Sequence, residues 1–179
     1  MNDNKATGGG GDSRRSEHES AAASTGAPPS SARKYPVHGV FNLPDQPTIV
    51  SVTVCTKNRK RWLANESVHK LLVDVWVKAD RWLVDRYVIM PDHIHLFAVE
   101  NGDVPFDNWV RYWKSQFTKR HGNKDHRWQI DHWDRRVRSP LGYEDAWNYI
   151  YWNPVRAGLV SEPDQWPFSG MIYDLRWKE

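Results

Sequence analysis

The sequence predicts an α+β fold, a four-stranded antiparallel sheet of the ferredoxin-like (split βαβ) kind with helices on one face and one more helix following it. Three observations carry this. Strand-like runs occur at 49–56, 83–90, 93–100 and within 128–138. An amphipathic stripe follows the first run and another follows the third. Only Pro91-Asp92 separates the second run from the third, which demands a tight antiparallel link. The order is β-α-β-β-α-β, then a helix.

The first stretch, 1–33, holds Gly8-Gly9-Gly10-Gly11, Ala21-Ala22-Ala23 and Pro28-Pro29-Ser30-Ser31. It has too little apolar surface to offset the entropy of ordering and is expected to be a disordered tail. Lys5, Arg14, Arg15 and Arg33 are balanced there by Asp3, Asp12, Glu17 and Glu19, which excludes a basic DNA-binding arm. Residues 34–179 are expected to form one folded domain.

The run at 49–56 is β-branched nearly throughout, and the basic turn Lys57-Asn58-Arg59-Lys60-Arg61 ends it. Val68, Leu71, Leu72, Val75, Trp76, Ala79 and Leu83 then recur at helical spacing behind Asn65, a suitable N-cap. Asn101-Gly102-Asp103 turns the chain after the two linked strands. Phe106, Trp109, Val110, Trp113 and Phe117 trace the second stripe, with Arg111, Lys114, Ser115, Thr118 and Lys119 on the opposite face. Ser139-Pro140-Leu141-Gly142 reads as a break, and the last helix is expected from Tyr143 to Arg156.

Composition removes several function classes. The chain of 179 residues has 39% hydrophobic and 26% charged residues, a balance suited to one soluble domain. No apolar run approaches the roughly 20 residues of a membrane span, and no secretory apolar segment opens the chain. Intracellular residence is therefore expected. A single cysteine, Cys55, excludes an internal disulfide and a multi-cysteine zinc site, and is expected to be buried and inert. The net charge of +3 permits a nucleic-acid partner without requiring one. The 11 tryptophans are expected mostly in the core, with the remainder available as platforms for unpaired bases.

Chemistry concentrates in two places. Along a strand, alternate side chains share a face, so His93 and His95 point one way and Ile94 and Leu96 the other. Two imidazoles on one face are half of a metal site or half of an acid–base site. In the last helix, Tyr143, Ala146, Trp147 and Ile150 form the face expected to meet the sheet. Tyr149 and Asn153, four apart, are neighbours elsewhere on its surface, with Asp145 one turn behind. Tyr151 lies about 200° around from Tyr149, so the two cannot enter one site. Asn153 precedes Pro154 and is expected at the helix end.

Met90-Pro91-Asp92-His93-Ile94-His95-Leu96 has the form histidine, bulky hydrophobic, histidine (HUH). The stretch Tyr149-Ile150-Tyr151-Trp152-Asn153-Pro154-Val155-Arg156-Ala157-Gly158-Leu159-Val160 resembles the tyrosine-helix signature of the single-tyrosine HUH transposases. With Trp166-Pro167-Phe168-Ser169 downstream, the pairing is most similar to the branch called REP-associated tyrosine transposases, over about residues 35–173.

The resemblance implies a metal-dependent enzyme that cuts and rejoins single-stranded DNA near a hairpin, leaving a 5′-phosphotyrosine and a free 3′-hydroxyl. It implies Tyr149 as nucleophile, and a divalent ion (Mg²⁺ or Mn²⁺) held by His93, His95 and the polar residue four positions after the tyrosine, Asn153. Relatives on insertion sequences often carry glutamine there, and asparagine is shorter. Tyr143 and Tyr151 are left as structural. A DNA substrate also makes Arg111, Lys114, Lys119 and Arg120, Arg135, Arg136 and Arg138, and Arg156 candidate phosphate contacts. The implied working state is a monomer or a homodimer, in the bacterial cytoplasm and on the nucleoid when DNA-bound. The rival reading is a domesticated protein that occupies hairpins without cutting. Retention of His93, His95, Tyr149 and Asn153 together speaks against it.

Overall fold

In the computed structural model, residues 39–42 and 47–176 are described, and the expected tail at 1–33 lies outside them. The elements are β1 (Gly39–Asn42), β2 (Ile49–Cys55), α1 (Glu66–Lys78), β3 (Trp82–Ile89), β4 (His93–Glu100), α2 (Phe106–His121), β5 (Trp133–Val137), α3 (Pro140–Tyr151), α4 (Asn153–Arg156), β6 (Ser169–Met171) and β7 (Tyr173–Arg176). The main sheet runs β5-β2-β4-β3-β6, antiparallel throughout, while β1 and β7 pair in parallel beside it.

The four strands expected from the sequence are all present. β4 lies between β2 and β3, which is the split βαβ arrangement. The sheet gains a fifth strand, β6, on the free edge of β3, where Tyr87 faces Gly170. A Cβ at Gly170 would lie 2.6 Å from the Tyr87 hydroxyl, so only glycine lets this edge close. With three residues, β6 is too short to show any periodicity.

α1 and α2 cover one face, burying Val52, Val54, Ile94, Leu96 and Ala98 beneath Leu72, Trp76, Trp113 and Phe117. α3 lies on the other face, where Tyr143, Trp147 and Ile150 meet Phe97, Val99 and Val137. Asn65 caps α1 as expected, its Oδ1 accepting from the Val68 N–H at 3.1 Å. α1 ends at Lys78, and Leu83, at the far end of its stripe, belongs to β3 instead. Trp62, Trp76, Trp82, Trp109, Trp113, Trp147 and Trp166 are buried, so most tryptophans do fill the core; Trp133 is 59% exposed.

Two boundaries differ from expectation for local reasons. Ser139-Pro140 starts α3 rather than breaking the chain: Ser139 Oγ accepts from the Gly142 N–H at 3.1 Å, and Pro140 stands where no N–H is needed. The single helix expected to Arg156 is two, because α3 stops at Tyr151 and α4 begins at Asn153. Pro154 has no N–H to continue the α3 ladder.

A register shift in β3 between Val84 and Tyr87 turns Asp85 inward, leaving it 2% exposed. Burial raises its carboxyl well above the usual range, and the Arg86 charge and backbone N–H only partly oppose this. The folded chain therefore holds a proton that the unfolded chain releases. The associated stability is complete below the ordinary carboxylate pKa near 3.8 and is lost as pH rises toward the raised folded value. Asp85→Asn is expected to raise the denaturation midpoint at pH 8 and flatten its decline between pH 4 and 8, measured in urea.

Candidate active site

The site begins with the alternation of β4. Ile94 and Leu96 are sealed beneath α1 and α2, so His93 and His95 emerge on the α3 face. Their Nε2 atoms lie 3.1 Å apart, with the rings nearly perpendicular at 89°. Each ring is held from behind through Nδ1. His93 Nδ1 meets Asp92 Oδ1 at 2.7 Å, and Asp92 Oδ2 takes Arg59 Nε at 2.8 Å. His95 Nδ1 meets the hydroxyl of Thr53, its partner across the β2–β4 ladder, at 2.8 Å. A carboxylate only accepts, so His93 carries its proton on Nδ1 and turns the Nε2 lone pair toward His95.

Burial lowers both imidazole pKa values, that of His93 against the opposing pull of Asp92. His95 is pushed down to about 3, chiefly by burial and further by His93, Arg59 and Arg156. Both rings are therefore neutral at physiological pH, the form that donates a lone pair to a cation.

This donor set fits a divalent ion. Metal–imidazole bonds of about 2.1 Å at right angles set two nitrogens about 3 Å apart, close to the spacing here. The Asp92–His93 contact is the carboxylate–imidazole support common behind metal-ligating histidines. Among the described residues no three His, Cys, Asp or Glu side chains gather in a metal-binding cluster.

Tyr149 shares a cleft with one of these imidazoles, that of His95. It is 66% exposed on α3 and lines, with Ser51, Thr53 and His95, a cleft of about 930 Å³. Arg135, Arg136 and Arg138 form part of its wall, as does Asp145. Arg136 also donates to the Thr48 hydroxyl at 3.1 Å. Tyr151 points away as expected, buried, with its hydroxyl donating to Asp164.

Arg156 has a more specific place than phosphate contact alone implied. Its guanidinium lies 4.1 Å from the Tyr149 ring centroid and donates to both the Tyr149 carbonyl and Asn153 Oδ1. Asn153 therefore directs its amide oxygen to Arg156.

The basic residues of α2 do not join the cleft. They belong to the helix layer across the sheet, where Arg111 donates to the Asp107 carbonyl and Asn108 Oδ1, and Arg120 pairs with Asp74 of α1. Lys119 is exposed there too. Lys114, expected on the solvated side, is buried, and its ammonium donates to the carbonyls of Gln129 at 2.5 Å and Ile130 at 3.0 Å. Burial lowers its pKa. Neither its exposure nor its free hydrogen-bonding capacity suits a phosphate contact. Cys55 is buried as expected, and burial raises its thiol pKa.

Thr53, Asp92 and Arg59 are the supporting residues that sequence reasoning passed over. Asp92 adjoins His93 and could have been suspected; Thr53 becomes visible only once the strand register is known.

An exposed tyrosine that shares a cleft with the His95 imidazole and three arginines suits attack on an anionic ester. No family model matches the chain. A REP-associated tyrosine transposase of Escherichia coli strain K12 is 34% identical over 126 residues, covering 69% of this chain and 76% of that relative. Among solved structures, that of a REP-associated tyrosine transposase bound to a REP hairpin is similar with a TM-score of 0.62 at 30% identity, covering 69% of this chain and 76% of the other.

Proposed function

From the premise that the chain belongs to the REP-associated tyrosine transposases, we propose that it is a metal-dependent single-stranded DNA endonuclease and strand transferase acting at hairpins. The observation that carries this is the shared cleft of Tyr149 and His95 beneath Arg135, Arg136 and Arg138. The Tyr149 oxygen attacks the scissile phosphorus and loses its proton, the bond to the 3′-oxygen breaks, and that oxygen leaves as a 3′-hydroxyl. The phosphate stays on Tyr149 as a 5′-phosphotyrosine, which conserves the ester bond for rejoining by a new 3′-hydroxyl.

A neutral phenol is a weak nucleophile, so charge stabilisation must come from elsewhere. Mg²⁺ or Mn²⁺ held by His93 and His95, with Asn153 as a further ligand once Arg156 releases its oxygen, would supply that stabilisation at the phosphoryl oxygens. Asp92 and Thr53 hold the two rings. Arg156 steadies the Tyr149 ring, and the β5–α3 arginines bind the flanking phosphates.

The test is incubation of end-labelled DNA hairpins with each divalent ion, followed by a denaturing gel for the covalent protein–DNA adduct. Imidazole donors suit Mn²⁺ better than the oxygen-preferring Mg²⁺, so Mn²⁺ is expected to support adduct formation at least as well. Activity with Mg²⁺ alone would contradict that ligand set. Tight hairpin binding with no adduct under any ion would favour an occupying, non-cutting protein.

A further inference from the structure

A second feature shares no lining residue with the cleft. Residues 57–59 and 127–131 enclose a recess of about 520 Å³ beyond the end of β2, at the sheet end where His93 begins. Its lining includes the partly exposed Trp128 and Ile130, the latter 88% exposed. Lys57 and Arg127, both exposed, stand at its rim, and Asp131 is the single acid on its wall. Lys60, Arg61 and Lys124, also exposed, extend the positive charge outward.

The turn that forms this rim is built rather than loose. Asn58 and Arg59 adopt consecutive left-handed conformations, φ 57° and 54°, which residues with side chains rarely hold without support. The support is specific. Arg59 bonds Cys55 Sγ at 2.7 Å and Asp92 at 2.8 Å, and the Thr56 hydroxyl bonds the carbonyls of Lys60 and Asp92 at 2.8 and 3.0 Å. The Lys57 N–H bonds the Arg127 carbonyl at 2.8 Å, which sets the two rim cations together. Through Arg59 and Asp92 the rim is joined directly to His93.

We propose that this recess binds an unpaired nucleotide of the DNA strand beside the hairpin, its base on Trp128 and Ile130 and its phosphate between Lys57 and Arg127. The inference rests on the reading of the substrate as hairpin DNA. An apolar floor with a cationic rim matches the two halves of a nucleotide, and only an unpaired base has a free face to offer such a floor. A duplex would touch the rim alone. Arg59, committed to Asp92, positions the turn without contacting the nucleotide.

Binding by fluorescence anisotropy separates these roles, comparing a bare DNA hairpin with the same hairpin carrying single-stranded flanks, across a range of salt. Wild-type chain binds the flanked hairpin more tightly. K57E/R127E loses at least about tenfold on the flanked hairpin alone, and the slope of log K against log salt falls by about 0.7, the value for one single-strand phosphate. Ile130→Ser loses a few-fold on the flanked hairpin at unchanged salt slope. All three side chains are exposed, and circular dichroism confirms folding. Equal losses on both hairpins, or none on either, overturn the recess as a nucleotide site. If wild-type chain cuts the flanked hairpin while the variants bind it unchanged, only this inference fails. If wild-type chain binds neither hairpin, the proposed function fails with it.

Discussion

Tyr149→Phe is expected to abolish the covalent protein–DNA adduct, a fall of at least about a thousandfold, while hairpin affinity stays within about twofold. The substitution removes one oxygen from an exposed ring and leaves the Arg156 stack in place, so the cleft keeps its shape and charge. Tyr151→Phe should behave oppositely. The Tyr151 hydroxyl is buried against Asp164, and both burial and that carboxylate raise its pKa far above the ordinary tyrosine value. Losing it leaves adduct formation intact and costs about 1 kcal/mol of stability. Denaturing gels, anisotropy and urea midpoints on both variants check this. An adduct formed by Tyr149→Phe would refute the nucleophile assignment.

His95→Ala should be nearly as severe. The ring is one of two converging nitrogen donors, and its removal leaves the Thr53 hydroxyl facing a gap and His93 Nε2 alone. Calorimetric titration with Mn²⁺ is expected to show binding lost, and the single-turnover rate of adduct formation to fall by about a thousandfold or more, with hairpin affinity retained. Asp92→Asn keeps both nitrogens but weakens the hold on His93, and should cost about 10–100-fold in metal affinity. Mn²⁺ binding by His95→Ala at wild-type strength would remove His95 from the ligand set.

The sheet and the two stripes were readable because each depends on side chains close in sequence. Alternation along 93–100 placed His93 and His95 on one face, and helical spacing placed Tyr149 away from Tyr151; both hold in the fold. What escaped depends on chain segments meeting from a distance. Lys114 sits on the charged side of its helix, and only the arrival of Gln129 and Ile130 overhead buries it. Arg156 is seven residues beyond Tyr149, a separation of about 10 Å in an unbroken helix. The turn at Trp152 folds the distance away and makes the stack possible. Ser139-Pro140 was ambiguous because the residues that end one element also start another.

β4 is the middle strand of five, hydrogen-bonded on both sides, with Ile94, Leu96, Phe97 and Ala98 wholly buried. Its amides should therefore open only with global unfolding, whereas the outer helix bearing Tyr149 is free to open locally. Functional loops usually draw on the least protected parts of a protein. Here the proposed metal-binding half is anchored in the last segment to exchange its hydrogens, and the proposed nucleophile is carried by a more yielding one. One partner stays fixed while the other can be displaced by an incoming strand and return.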